Sequence, residues 1–501
     1  MMRRPVIFFS IVLLAFRANA SCEFTPNIEQ AYDAIISLRF DEGKRLLDRE
    51  EQLNPGNDLP ALYYNYIDFL RAFISEEEPD FNLLKKKTAY RLRVLERHKE
   101  NENAQFYLYA KAEILLQSAM AKAKFHEHVS AAADFRKAYR YVEKNSARFP
   151  AFPLNSKLSG MLHVVVGAVP KSFHWLVEMS GMEGTIPEGK TELNKLLEQV
   201  QGSKYHVYVP EILFYLGTIA NSFPGDEQEA ASLSAKLQQY ESEPLLRYCN
   251  ISLLMRSGKN DPAIEQLNLI SPADSSFPIH FLRYKKGMAL LRRLDLHSES
   301  EFLYFLSHFK GQNYRAAAYQ KLAWIQLLKG DRKKYDEYIS ACRQSGSDEV
   351  DEDKDAMSEA ASQISPNLYL LRSRLLFDGG YYDKSHRELL SVPLDSFPRF
   401  RDQLELTYRF GRIMEKTGQS EKAINYYKET LKNGAASRYY FAANSALLLG
   451  NIFEREAQVD SAMRYYKECL QLDNHDYQNS IDQKAQAGID RVKEMIEKKS
   501  P

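Results

Sequence analysis

The chain has 501 residues, of which 44% are hydrophobic and 27% are charged. This composition is typical of a folded globular protein and is too apolar for a disordered one. The 67 basic and 67 acidic side chains cancel to a formal net charge of zero, and no basic stripe runs along the chain. Nucleic acid is therefore not expected as a partner.

The first element is an N-terminal leader pattern. The charged start MMRR is followed by 12 apolar residues, PVIFFSIVLLAF, and then by the small-residue stretch ANA that ends at Ala20. This order predicts a secretory signal peptide over residues 1–20, and the apolar run is too short for a membrane span. We expect an exported protein, located in the periplasm of a Gram-negative-type cell or tethered to its envelope.

Cys22 offers a way of tethering the protein to the envelope, because a cysteine just after a leader is a site of lipid attachment. Asn19 stands where an apolar residue is usual, so lipidation and simple cleavage both remain open. The other cysteines are Cys249, Cys342 and Cys469, which are far apart and form no CxxC motif. They predict buried thiols and no disulfide framework.

A repeat is visible in the C-terminal part of the chain. Two segments align there, TYRFGRIMEKTGQSEKAINYYKETL from Thr407 and ALLLGNIFEREAQVDSAMRYYKECL from Ala446. Small and aromatic residues recur 39 positions apart in them, namely Gly411, Ala423 and Tyr427 in the first and Gly450, Ala462 and Tyr466 in the second. This spacing resembles the tetratricopeptide repeat (TPR), in which the small positions let two helices approach and the aromatic positions fill the gap to the next pair. The resemblance implies an all-α fold, an α-solenoid of TPR-like helical pairs.

Degenerate copies of the same spacing occur upstream. Three triplets keep the offsets of the small and large positions: Ala31, Gly43 and Leu47; Ile251, Ala263 and Leu267; Ser373, Ser385 and Leu389. A weaker copy has Gly287 and Leu303 at the outer positions and Glu299 where a small residue is expected.

The predicted organisation of the chain has six segments. They are a signal peptide (1–20), an N-terminal TPR-like helical region (21–150), an apolar helical hairpin with a Gly-rich turn (151–205), degenerate TPR-like repeats (206–346), an acidic spacer (347–365) and C-terminal TPR repeats (366–497). The acidic run SDEVDEDKD from Ser347 lacks the glycine and closing glutamate of an EF-hand. We expect it to be a solvated, flexible loop.

The middle segment breaks the repeat rhythm with the apolar stretch SGMLHVVVGAVPKSFHWLV. Pro170 and Lys171 interrupt this stretch, so a buried helical hairpin is predicted in preference to a membrane span. Its Gly160 and Pro170, the G-x-x-G turn from Gly181 to Gly184 and the Gly-x-x-x-Leu stretch from Gly189 to Leu193 resemble the divergent eukaryotic family of tetratricopeptide repeat protein thirty-nine and the inclusion-body clearance protein. The resemblance implies a TPR solenoid and supplies no catalytic residue. That family lacks a secretion signal and often has aspartate where Thr185 stands, so its cellular role is not carried over.

The stretch GTIPEGKT, residues 184–191, fits the phosphate-binding pattern G-x-x-x-x-G-K-[ST]. Its candidate nucleotide-binding residues are Gly184, Gly189, Lys190 and Thr191. No β-strand precedes it and no second strand supplies a Mg²⁺-binding aspartate, as a P-loop requires. We therefore interpret it as a glycine turn before a helix, with Lys190 as a surface residue, and keep nucleotide binding as an alternative.

Other catalytic signatures are absent from the sequence. His126 and His128 are separated by two positions, which on a helix places them on different faces and disfavours chelation. We predict neither a metal site nor a cofactor, and no enzyme activity.

Partner binding is the remaining functional hypothesis. The first helix of each TPR pair lines a groove that holds an extended peptide or a partner helix. The repeat phase predicts that Tyr408, Arg412, Glu415, Asn451 and Glu454 face this groove. The sequence therefore predicts an exported scaffold that binds unidentified protein partners in an envelope assembly. A lipid- or membrane-associated TPR protein is the alternative, and membrane association is compatible with the prediction but not required by it.

Overall fold

A computed structural model describes residues 22–97, 103–169, 175, 181–223, 225, 227–270, 276–345, 349–390 and 392–497. Within these ranges the ordered elements are 24 α-helices and two short 3₁₀ turns, with no strand. The all-α prediction is confirmed. The predicted signal peptide and Pro170 lie outside the described residues.

The chain divides into two compact units. The first unit consists of residues Met1–Leu253 and Ser271–Ile279, and the second of Leu254–Ile270 and His280–Pro501.

Eleven helices begin in the first unit, and the unit boundary falls inside the last of them. They are α1 Pro26–Ile36, α2 Phe40–Leu53, α3 Pro60–Ser75, α4 Glu78–Leu95, α5 Gln105–Lys124, α6 His128–Arg148, α7 Leu154–Ala168, α8 Ile186–Val200, α9 Val209–Ser222, α10 Glu227–Gln238 and α11 Pro244–Arg256. Consecutive helices pack as pairs, most extensively α5 with α6, α7 with α8, α1 with α2 and α3 with α4.

The second unit contains the remaining thirteen helices of the described chain. They are α12 Asn260–Asn268, α13 Phe281–Arg292, α14 Ser298–His308, α15 Arg315–Lys329, α16 Arg332–Gln344, α17 Asp351–Ser362, α18 Leu368–Asp378, α19 Tyr382–Leu390, α20 Phe400–Lys416, α21 Ser420–Gly434, α22 Phe441–Arg455, α23 Val459–Leu470 and α24 Gln478–Glu497. The pairs here are α13 with α14, α15 with α16, α18 with α19, α20 with α21 and α22 with α23.

The predicted repeat positions make the contacts between paired helices. A Cβ atom built on Gly411 would lie 2.6 Å from the ring of Tyr427, and one on Gly450 would lie 2.5 Å from the ring of Tyr466. Each tyrosine therefore occupies the space that the missing side chain leaves, which is how small residues let helices approach in such repeats.

The serine copy of the repeat works differently. Ser373 on α18 and Ser385 on α19 are both fully buried, and their hydroxyl oxygens lie 2.8 Å apart. Ser385 also donates to the carbonyl oxygen of Ser373 at 2.8 Å. A hydrogen bond thus joins the two helices at the positions where the C-terminal repeats have a glycine or an alanine.

The register predicted for the weak copy at Gly287 is wrong by one residue. A Cβ on Gly287 would lie 2.9 Å from the ring of Phe302, which is fully buried, while Leu303 is 44% exposed. The small buried residue one turn earlier is Ser298, at 0% exposure, and not Glu299. The connection between α13 and α14 is one residue shorter than the pattern assumes, so every inward position on α14 moves back by one.

The acidic run predicted as a flexible loop is helical from Asp351 onward, in α17. Asp353 is fully buried there and accepts hydrogen bonds from the backbone amides of Tyr314 and Ala317, both at 2.7 Å. A carboxylate that receives the orphan amides of another helix start stabilises that start. The prediction of a loop, which was based on charge density alone, is therefore wrong for this segment. It is a helix that caps α15 from outside.

None of the described helices is both long enough and apolar enough to span a membrane.

Candidate functional site

The five predicted groove residues lie on α20 and α22, the first helices of the two C-terminal repeats. Tyr408 is buried, at 2% exposure, and its hydroxyl accepts hydrogen bonds from Arg412 at 3.0 Å and from Asn444 at 2.5 Å. The Arg412 guanidinium also lies over the ring of Phe377 on α18, 4.9 Å from its centroid. Tyr408 and Arg412 thus join α18, α20 and α22.

Glu415 and Glu454 hold equivalent places in the two repeats. Tyr427 donates its hydroxyl hydrogen to Glu415 at 2.7 Å, and Tyr466 donates to Glu454, with its hydroxyl oxygen 2.8 Å from Oδ1 of Asn451. The tyrosine that packs on the repeat glycine therefore also fixes a carboxylate on the first helix. The repeat phase predicts that these first-helix residues face the groove, and it contains no information about these bonds.

Each of these carboxylates also binds an arginine from the next first helix. Arg455 contacts Glu415 at 2.8 Å, and Arg491 binds Glu454 through two nitrogens at 2.7 and 2.8 Å. The arginine side chains are 62% and 52% exposed, whereas the carboxylates are 13% and 16% exposed. This set, Arg412, Glu415, Glu454, Arg455 and Arg491, is called the arginine face below. Within this set Arg455 and Arg491 present their side chains to solvent beside glutamate side chains that are mostly covered, while Arg412 is held against Phe377 and Tyr408.

The GTIPEGKT segment forms the connection into α8 and its first turns. Thr185 caps the helix by accepting a hydrogen bond from the Glu188 amide at 3.3 Å. Gly184 has a φ of +156°, and a Cβ there would lie 2.6 Å from the Cα of His163. Glycine is therefore required by the close approach to α7.

The candidate nucleotide residues have contacts within the first unit. The Gly189 amide donates to the carbonyl of Thr185 at 3.1 Å, so it belongs to the helix ladder. Lys190 pairs with Glu229 at 2.5 Å, and Thr191 donates to the Pro187 carbonyl at 2.8 Å. A P-loop instead directs its amides and lysine at the phosphates. Nucleotide binding at these residues remains an untested alternative.

A buried ionic cluster in the first unit was not predicted from the sequence. The fully buried Lys157 ammonium lies 2.9 Å from Glu113 and 2.6 Å from Glu211, and it donates to the Tyr66 hydroxyl at 2.8 Å. Glu211 also accepts hydrogen bonds from three tyrosine hydroxyls, those of Tyr32, Tyr66 and Tyr215. The cluster is buried and joins α1, α3, α5, α7 and α9. It therefore holds these five helices together.

Burial and the neighbouring charges oppose each other in setting the pKa values of this cluster. It raises the pKa of Glu113, although Lys157 opposes the shift. Burial also lowers the pKa of Lys157, but Glu113 and Glu211 together outweigh it and hold that pKa above its usual value. The ammonium therefore stays charged, as buried charges with good partners do.

A second buried cation lies in the second unit. Lys321 on α15 and Arg374 on α18 both lie over the ring of Trp324, at 4.1 and 4.4 Å from its centroid. Trp324 donates its indole hydrogen to Glu359 at 2.7 Å. The pKa of Lys321 is lowered to about 8, chiefly by burial, with the opposing charge of Glu359 raising it and Arg374 adding to the decrease.

The structure also places Cys22 and the histidines His126 and His128. Cys22 is buried at 2% exposure, and burial, with a contribution from Asp58, raises the pKa of its thiol. His126 lies in the turn between α5 and α6, while His128 is the first residue of α6, and their ring centroids are 6.0 Å apart. The intervening Glu127 is paired with Lys85 at 2.5 Å.

Comparison with known proteins yields little at the level of sequence. No protein-family model matches the chain, and no curated protein matches it. Among solved structures, the crystal structure of the APC/C hetero-tetramer Cut9-Hcn1 contains a similar chain, with 11% sequence identity, 92% of this chain and 95% of that chain covered, and a TM-score of 0.27. That TM-score carries no argument about partners or function.

The helical pairs and their small-residue contacts define the class. The chain is an all-α protein built from TPR-like helical repeats, a fold generally used for binding proteins. Membership of the divergent eukaryotic family named above remains a prediction.

Proposed function

We propose that this protein is an exported scaffold that binds an extended, carboxylate-bearing segment of a partner protein in an envelope assembly. The observation that carries the binding proposal is the arginine face. The side chains of Arg455 and Arg491 are more than half exposed, and the glutamate side chains that orient them are largely covered. Guanidinium groups fixed in this way are suited to binding further carboxylates.

Export is the second part of the proposal, and it is supported by the leader pattern of residues 1–20. Mass spectrometry of the protein recovered from envelope fractions tests it. We expect a mature N-terminus at Ser21, or at a lipid-modified Cys22 if the chain is tethered. Recovery of an uncleaved chain from the cytoplasm would contradict export and leave the binding proposal untouched.

The binding proposal is tested by site-specific photo-crosslinking in intact cells. A photoreactive residue at position 455 should crosslink one discrete partner, whereas one at Lys428, which is exposed on the second helix α21, should not. The partner's affinity is then measured for the double variant Arg455→Ala, Arg491→Ala and for the control Lys428→Ala, Lys432→Ala.

We expect the arginine variant to bind at least about tenfold more weakly, since charge-assisted hydrogen bonds contribute roughly 1.5–3 kcal/mol each. The fold should survive, because exposed ion pairs contribute about 0–1 kcal/mol. Equal affinities for the two double variants, or the same crosslinks from both positions, would show that partners bind elsewhere.

A further inference from the structure

The helices α7 and α8 approach more closely than ordinary side chains would allow. A Cβ on Gly189 would lie 2.2 Å from the carbonyl oxygen of Gly160, and one on Gly160 would lie 3.0 Å from the carbonyl oxygen of Gly189. The two backbones are therefore in contact at this crossing. Side chains one turn away on either helix are brought within reach of each other.

Three potential metal ligands meet beside this crossing. His163 on α7 and Glu188 and Glu192 on α8 each offer one ligand atom, and these atoms lie within 4.8 Å of one another. The two glutamates are four positions apart, so they share one face of α8. His163 is held on the facing helix where Gly184 passes closest to it.

The contact between His163 and Glu192 is close. The Nδ1 atom of His163 lies 2.9 Å from Oε1 of Glu192. The nitrogen and the oxygen are thus near enough to share a proton or to bind a common cation.

The second oxygen of Glu192 has a separate partner. Ser159, one helical turn before His163, donates its hydroxyl hydrogen to Oε2 of Glu192 at 2.5 Å. Hydrogen bonds of this kind orient ligating carboxylates in metal sites. One oxygen of Glu192 is therefore fixed by the protein, and the other points towards the histidine.

We propose that His163, Glu188 and Glu192 bind a divalent cation of the zinc class. Imidazole nitrogens and carboxylate oxygens are both ligands of Zn²⁺, and zinc sites that keep an open position combine three protein ligands with one water. Two carboxylate charges balance the charge of the ion. Glu188 is exposed, so its side chain is free to close onto a cation held by the other two residues. The site would join α7 to the first two turns of α8, which begin within the GTIPEGKT segment.

The test is titration of the metal-stripped full chain with Zn²⁺ by calorimetry, and with Co²⁺ by visible absorption. We expect one equivalent to bind, with a Co²⁺ spectrum typical of four coordination. Mg²⁺ and Ca²⁺ should bind far more weakly, because imidazole favours zinc-class ions. Absence of saturable Zn²⁺ binding, or equal binding of Mg²⁺, would overturn the proposal.

Three variants locate the ion. Glu188→Gln changes an exposed side chain and should leave the fold intact while weakening Zn²⁺ binding at least about tenfold; Ser159→Ala should weaken it about 10–100-fold through Glu192. His163→Ala should abolish it. Glu198→Gln, an exposed glutamate further along α8, is the matched control and should bind Zn²⁺ like the parent. Unchanged affinity in Glu188→Gln and His163→Ala would place any bound zinc elsewhere and refute the site.

Discussion

Gly160 and Gly189 touch through their backbones, with the Gly160 carbonyl oxygen only 2.2 Å from the position of a Cβ on Gly189. Gly189 is the second glycine of GTIPEGKT, the residue that makes the segment look like a phosphate loop. Its amide is committed to the helix ladder through Thr185. The glycine is thus explained by the helix crossing, without any phosphate.

The first prediction concerns Gly189→Ala. Helix propensity alone would make this change stabilising by about 1 kcal/mol. The backbone clash should reverse the sign and lower the free energy of unfolding by roughly 1–3 kcal/mol, as overpacking does. Urea denaturation of the variant beside Thr191→Ala, an exposed change on the same helix, measures the difference. A more stable Gly189→Ala variant would mean that the helices are not in contact there.

The second prediction separates the two registers of α14. Phe302→Ala should cost about 3–5 kcal/mol, because it empties the space packed against Gly287. Leu303→Ala should cost less than about 1 kcal/mol, since the leucine is largely exposed. Thermal unfolding of the two variants gives the ranking. The register expected from the repeat spacing requires the reverse order.

The third prediction addresses the buried ammonium. Lys157→Met leaves Glu113 and Glu211 facing each other without a cation, and breaking such a buried set costs about 3–5 kcal/mol. Adding Glu113→Gln to Lys157→Met should recover part of this loss, because one of the two uncompensated charges is removed. Equilibrium unfolding of the single and double variants checks both steps. If Lys157→Met is as stable to unfolding as the parent, the ammonium and the two carboxylates are not coupled.

The fourth prediction is a pH dependence set by Lys321. Its pKa of about 8 in the folded protein lies below the ordinary value near 10.4 of an unfolded lysine. The unfolded state therefore binds more protons between these values, and this residue's contribution to stability rises as pH increases through that window. Relative to Lys321→Met, the parent should gain up to about 3 kcal/mol of unfolding free energy between pH 7 and pH 10.5. Parallel pH profiles for the two proteins would contradict the lowered pKa.

Local spacing predicted much of the second unit. Gly411 and Tyr427, and their equivalents Gly450 and Tyr466, were placed correctly because both partners belong to one helical pair and a short connection fixes their offset. The same reasoning failed at α14, where a connection shorter by one residue moves Phe302 into the place assigned to Leu303. A helix has 3.6 residues per turn, so one missing residue turns the inward face by about 100°.

At the candidate sites, too, the sequence predicted some of the residues but not their partners. The repeat phase identified Glu415 and Glu454 as equivalent residues. Their arginine partners lie 40 and 37 positions further along the chain, and the pattern that identifies the glutamates contains no arginine position. His163 and Glu192 are 29 positions apart, on two helices whose crossing depends on Gly160 and Gly189. The i, i+4 spacing of Glu188 and Glu192 was visible in the sequence, but no pattern pointed to the histidine opposite them.

The sequence by itself determined the helical class and the repeat pairs, because these depend on residues close together in the chain. Only the tertiary structure decided that Asp353 caps a distant helix, that Lys157 is surrounded by two carboxylates, and that GTIPEGKT packs beside a histidine. Each of these depends on contacts between different helices, which form only on packing. Burial then changes the energetics of every charge involved, and a charge pattern read along the chain cannot show burial.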